Sequence, residues 1–203
     1  MKNTQLFILL LLGLSCMQFQ CERRFDCAEN RYSFGMGVRA YPDSDSIKIG
    51  DTIWLEINEA TTLKDFRTDQ MIDYSKAANL GSNISFSQLS ADSQFTIQAV
   101  HKFDFHLIEG IPTASTNDNL YKEYLFNERN GYYKFKLGVV PKQKGLYVIV
   151  FGNAANVYRK TDKCTKAGFG INFKETDQHY YFHPGYIPGT SPVGGDYYFK
   201  VVN

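Results

Sequence analysis

The chain has 203 residues, 43% hydrophobic and 15% aromatic, with 22 basic against 21 acidic side chains. That balance, with no long run of one sign, excludes the basic footprint that nucleic-acid binding needs. Sixteen Phe, fourteen Tyr and one Trp favour pleated sheet, and the length suffices for one sizeable core.

The first element is a leader. Met1-Lys2-Asn3 is a short basic start, and Leu6 to Leu14 is an unbroken apolar run of nine. A spanning helix needs roughly 20 apolar residues, so this pattern is a secretory signal and the protein is expected to be exported. Ser15-Cys16 and Cys21 follow at once. The stretch resembles the lipobox of bacterial lipoproteins, in which a Cys becomes the acylated first residue. Local motif favours Cys16, although Gly13 stands where Leu is usual. Cysteine parity favours Cys21, because Cys27 and Cys164 then remain as a pair. Cys16 is preferred, with Cys21 the alternative. A Cys27–Cys164 disulfide suits an oxidising compartment. It would close a loop of about 138 residues, worth up to roughly 5 kcal/mol in the chain-entropy model. The first twenty residues hold one Lys and no acidic residue, so the mature chain carries 21 charges of each sign.

Residues 21–31 read as a tether, and 32–203 as a single domain. Tyr32, Phe34, Met36 and Val38 alternate with Ser33, Gly35, Gly37 and Arg39, a strand with one buried side. Tyr41-Pro42-Asp43-Ser44-Asp45 stops it. Ile47 and Ile49, then Gly50-Asp51, then Ile53, Leu55 and Ile57 make two short strands around a turn, with Trp54 on the opposite face. Residues 59–82 form a long connection with room for a small hairpin, and Ser75 to Leu80 suggests one helical turn closed by Gly81. Ile84 to Leu89 alternates again. Phe95, Ile97, Ala99, His101, Phe103, Phe105 and Leu107 share one parity, which predicts one long strand, bulged near a partly buried His101. A polar loop spans Pro112 to Asn119. Tyr133 to Val139 alternates, Pro141 to Gly145 turns, and Leu146 to Phe151 is apolar on both faces, so it should be central. A loop-rich region follows, with a short strand at Phe169 to Phe173. Tyr197 to Val202 is the last strand.

About eight strands without a long amphipathic helix predict an all-β, Greek-key β-sandwich with long loops, a small closed β-barrel being the alternative. Gly145-Leu146-Tyr147-Val148 resembles the corner before the penultimate strand of immunoglobulin-like sandwiches. That resemblance implies that the Tyr147 hydroxyl bonds back to upstream backbone. Ile149 stands where antibody domains carry Cys.

Catalytic signatures are missing. There is no Gly-x-Ser-x-Gly elbow, no Cys-x-x-Cys and no His-Glu-x-x-His; Gly35-Met36-Gly37 lacks the third glycine of a phosphate loop. No cofactor is expected. His179 and His183 with Asp177 are the best metal candidates, but Tyr180, Tyr181, Phe182 and Pro184 argue for a packed aromatic loop instead of a helix. The loop that holds Tyr180, Tyr181, Phe182 and Tyr186 has two readings, a cap over the final strand or a recognition surface for a protein or glycan. Asp45-Ser46-Ile47 and Asp51-Thr52-Ile53 resemble the O-glycosylation acceptor of Bacteroidetes, which would place sugars on Ser46 or Thr52.

The signal–Cys start, Tyr41 to Ile47, Ile49 to Trp54 and Lys144 to Val148 together resemble uncharacterised putative lipoproteins of Bacteroidetes. The resemblance implies an outer-membrane-anchored domain of the cell envelope and brings no activity. The expectation is a non-enzymatic lipoprotein domain with a binding or structural role. The alternatives are a glycan-active hydrolase with dispersed carboxylates and a lipid carrier.

Overall fold

The computed structural model describes residues 31–90, 95–114, 117–183, 185–189 and 194–203. The signal segment, Cys16, Cys21 and Cys27 lie outside them.

Seventeen strands occur among the described residues. The first six are β1 (Tyr32–Tyr41), β2 (Ser46–Lys48), β3 (Ile53–Ala60), β4 (Thr62–Lys64), β5 (Met71–Asp73) and β6 (Ala77–Ala78). Next come β7 (Gly81–Leu89), β8 (Thr96–Gln98), β9 (Phe103–Glu109), β10 (Ile111–Pro112), β11 (Tyr121–Leu125) and β12 (Asn127–Arg129). The last five are β13 (Tyr132–Pro141), β14 (Gly145–Phe151), β15 (Ala154–Arg159), β16 (Asp162–Phe173) and β17 (Tyr197–Val202). One sheet runs β12-β13-β3-β1-β16-β15-β6, with β9 also on β13; the other runs β10-β11-β7-β14-β17-β2, with β8 also on β7. β4 and β5 form a separate hairpin. The two sheets make an all-β sandwich, not a closed barrel.

Alternation explains the layers. β1 buries Phe34, Met36 and Val38 and turns Gly35, Gly37 and Arg39 outward. β14 lies between β7 and β17 and is buried on both faces: Tyr147 and Ile149 enter the core between the sheets, and Val148 on the outer face packs with Leu89 and Tyr198 under Tyr180 and Phe182. Aromatic rings bridge the sheets. Phe86 on β7 meets Phe105 on β9 at 4.9 Å between centroids. Phe151 on β14 meets Phe135 on β13 at 6.1 Å and Phe173 on β16 at 5.5 Å. Edge-on contacts of this kind add to the burial energy of the rings. Tyr147 is fully buried, and its hydroxyl donates to Gln143 O at 3.0 Å.

Three sequence expectations need correction. The run from Phe95 to Leu107 is not one strand. β8 pairs with β7 in one sheet and β9 with β13 in the other, joined by a 3-10 turn at Val100–Lys102. The chain changes sheets there, so His101 is exposed rather than half-buried. Ser75 to Leu80 makes no helical turn: β6 pairs with β15, and Lys76 and Asn79 take left-handed backbone angles. Gly81 opens β7 instead of closing a helix; a Cβ there would lie 2.1 Å from Tyr124 O. Nor is the region after Phe151 a loop with only a short strand at Phe169 to Phe173: β15 and the twelve-residue β16 occupy most of Ala154 to Phe173. β1 runs parallel to β16, with Gly35 level with Gly170, and β17 runs parallel to β2.

Candidate functional site

The outer face of the first sheet carries a polar groove, and its construction starts at β1. Gly35 and Gly37 leave the outer side of this strand without side chains, and Gly170 does the same on β16. The ladder between β1 and β3 spans only Arg39↔Glu56 to Tyr41↔Trp54. Toward the start of β1 the two strands part, and side chains take over the pairing. Glu59 Oε1 accepts the Gly37 N–H at 2.9 Å, and Asp65 Oδ1 accepts the Ser33 N–H at 2.8 Å. Phe66 N–H donates to Ser33 O at 2.8 Å, so the turn of the β4–β5 hairpin takes up both the N–H and the C=O of Ser33.

Asp65 is the keystone of that turn. Its side chain has no solvent exposure. Burial alone would raise its pKa. The N–H of Ser33, the Thr68 hydroxyl at 2.7 Å and the N–H groups of Arg67 and Thr68 outweigh burial and hold the carboxyl below its usual range. With the turn fixed, the Phe66 ring comes to rest over Gly35. A Cβ on Gly35 would lie 2.8 Å from Phe66 Cζ. Phe66 is still 64% exposed, so the ring presents its other side to solvent.

The opposite wall continues from β16. Lys174 N–H donates to Val38 O at 2.9 Å, and Ala40 N–H donates to Thr176 Oγ1 at 3.0 Å. These bonds hold residues 174–176 along β1, with Glu175 at φ 55. The Lys174 stem lies along the glycine strip: Cδ falls 3.3 Å from a Cβ built on Gly37, and Nζ 3.4 Å from one built on Gly35. The groove has a volume of about 440 Å³ and is lined by Gly37, Val38, Arg39, Glu56, Asn58, Glu59, Lys174 and Glu175. Two cations and three carboxylates share it, yet among the described residues none of them is ion-paired. Acceptors and donors therefore face the same open space. None of the lining side chains is a hydroxyl, thiol or imidazole.

The residues singled out in the sequence lie elsewhere. Tyr180, Tyr181 and Phe182 form a 3-10 turn on the outer face of the second sheet. Tyr180 and Phe182 pack on Leu89, Val148 and Tyr198. The Tyr180 hydroxyl donates to Gly194 O, and the Tyr181 hydroxyl donates to Asp45 Oδ2 at 2.8 Å. Tyr181 and Tyr186 keep 49% and 41% exposure. His179 is buried, with its ring Nδ1 donating to Tyr198 O at 2.8 Å, whereas His183 Nδ1 accepts the Gly185 N–H at 2.9 Å. Asp177 Oδ1 accepts the His179 N–H at 2.9 Å. The two imidazoles thus serve different partners, and among the described residues no cluster of His, Cys, Asp and Glu converges on a metal position. Ser46 is exposed on the outer strand β2, and Thr52 is half-buried before β3. Cys164 is exposed near the start of β16.

The groove residues went unnoticed in the sequence, apart from the glycines. The sequence presents Gly35-Met36-Gly37 as an incomplete phosphate loop and as part of an alternating strand, not as the floor of a groove. Its position on the polar side of an alternating strand was the available signal for a strip of sheet open to close approach.

No family model matches the chain, and no curated protein matches it. Among solved structures, the human F-spondin reeler domain (fragment 1) is similar, with a TM-score of 0.43 and 9% sequence identity. The match covers 90% of this chain and 100% of that one.

Proposed function

We propose that this chain is a non-enzymatic, lipid-anchored domain of the cell envelope that binds a ligand on the outer face of its first sheet. One observation carries the reading: a groove of about 440 Å³ whose two cations and three carboxylates form no ion pair among the described residues. Its volume falls within the roughly 300–1,000 Å³ usual for ligand clefts. The anchor rests on the apolar run Leu6 to Leu14 followed by Cys16, or Cys21 in its place, and on the likeness to Bacteroidetes lipoproteins.

The Cys27–Cys164 disulfide belongs to the same proposal. Arg31 N–H donates to Lys166 O at 2.8 Å, so the chain enters β1 two residues from the level of Cys164. Four residues reach at most about 14 Å, which brings Cys27 within range of that position.

A second reading has one observation in its favour. Glu56 and Glu59 face Glu175 across the groove, and glycoside hydrolysis uses two carboxylates on opposite sides of a bond. Against it, the groove is open, whereas a general acid is kept protonated by a dry pocket. A lipid carrier would need an apolar space between the sheets, where the ring-against-ring core now sits.

The test uses the native lipoprotein. Its intact mass reports the acyl group, the disulfide and any sugar on Ser46 or Thr52. Saturable binding of envelope fragments, lost in Gly37→Val and without release of new reducing ends, supports the binding role. Steady release of reducing ends that stops in Glu175→Gln replaces it with the hydrolase. Binding untouched by Gly37→Val removes the groove from the account.

A further inference from the structure

From the groove chemistry we infer that the ligand is a neutral oligosaccharide, lying along β1 with one sugar ring stacked on Phe66. This rests on the binding role proposed above and names its ligand class. A sugar hydroxyl donates one hydrogen bond and accepts two, so it is best served where donors and acceptors alternate. The groove offers that mixture: Arg39 and Lys174 donate, Glu56 and Glu175 accept, and Asn58 does both. Glu59 has one oxygen committed to the Gly37 N–H and one remaining.

Charge argues against other polymers. A polyanion would lie against three carboxylates, and a polycation against Arg39 and Lys174. A peptide gains most of its affinity at a sheet edge, where backbone groups are unpaired. The floor here is interior: β1 is paired to β16 along Tyr32↔Ala167 to Val38↔Phe173, and the free side of β1 is closed by Glu59 and Asp65. Hydroxyl-rich neutral chains need no free backbone. They need a polar trough and an aromatic face for the apolar side of a ring, and Phe66, resting over Gly35 two residues before Gly37 of the groove, supplies that face. Its position is fixed, because Asp65 holds the turn and Gly35 receives the ring.

The experiment is calorimetry of the mature protein against neutral hexasaccharides of glucose, mannose and xylose. Polygalacturonate is the anionic probe and an envelope-protein digest the peptide probe. At least one neutral hexasaccharide should bind saturably. Phe66→Ala and Asn58→Ala should each weaken it at least tenfold, and Gly37→Val should abolish it, with melting temperatures close to that of the parent. A Phe66→Tyr variant should retain binding, which separates stacking from a folding defect. Absence of binding by every neutral hexasaccharide overturns the inference. If the polyanion or the peptides bind instead, and lose binding in Gly37→Val, the sugar assignment falls and the binding role stands. If Gly37→Val changes nothing for any probe that binds, both fall together.

Discussion

At the scale of single residues, Asp65 decides whether the groove exists. It is a carboxylate without solvent contact, surrounded by N–H and O–H donors, and it joins a turn to a strand 32 residues earlier. Replacing it with Asn keeps the shape but sets an amide NH2 against the donors of Thr68. Hydrogen bonds to a charged group are worth about 1.5–3 kcal/mol net, so Asp65→Asn should cost about 2–3 kcal/mol at neutral pH. The pH dependence has a definite sign. Hydrogen bonding lowers the folded pKa below the unfolded value of about 3.9. The contribution is therefore full above about pH 4 and is lost as pH falls through the folded value. Urea midpoints from pH 7 to pH 2 should show the gap between parent and Asp65→Asn shrinking toward the acid end. A gap that stays constant would mean that the charge is immaterial.

At the scale of elements, two glycines with the same formal role behave differently. A Cβ on Gly81 would meet the main chain of the neighbouring strand, Tyr124 O at 2.1 Å and Leu125 Cα at 2.8 Å. The atoms nearest a Cβ on Gly37 are side-chain atoms, Glu59 Oε1 at 3.1 Å and the Lys174 stem from 3.3 Å. Gly81→Ala should therefore destabilise by on the order of 3 kcal/mol, since main chain cannot yield as side chains do. Gly37→Ala should change stability by less than about 1 kcal/mol, and thermal melts of both variants decide it. The outer face of this sheet repeats one device. Trp54 lies across its strand partner Gly138 as Phe66 lies across Gly35, each ring covering a backbone that no side chain shields. These placements also explain what was legible in the sequence. Strands β1 and β13 were readable because each buries one side of a regular alternation. The run from Phe95 to Leu107 misled because its parity continues through Ala99 and Phe103 while the chain changes sheets, which parity does not record. The small hairpin within residues 59–82 was legible, but the anchor of its turn was hidden for a different reason. That anchor, Asp65, is an acidic residue buried by backbone donors distant in sequence, and hydrophobic pattern assigns acidic residues to solvent.

At the scale of the whole molecule, the core is an aromatic continuum, and tyrosines carry much of it. Tyr74 is the hub. Its hydroxyl lies 2.8 Å from Val157 O and 2.7 Å from Thr165 O, and its own carbonyl accepts the Tyr133 hydroxyl, so β13, β15 and β16 converge on one residue. Burial pushes the Tyr74 and Tyr124 hydroxyls up to about 12, and it also raises Tyr133, Tyr197 and Tyr198. The unfolded value is about 10. A raised folded pKa means that the neutral form stabilises the fold fully below pH 10 and that this support is withdrawn as pH climbs through 12. These rings reach both sheets, so their ionisation should not be local. Tyrosinate absorbance and far-ultraviolet circular dichroism, followed together from pH 9 to pH 13, should show the late-ionising tyrosines appearing in the same cooperative step that removes the sheet signal. Smooth ionisation of all fourteen tyrosines before any loss of sheet would mean that the inner rings reach water in the folded state. In that case the two layers would be held by their aliphatic contacts, and the hub at Tyr74 would have no structural consequence.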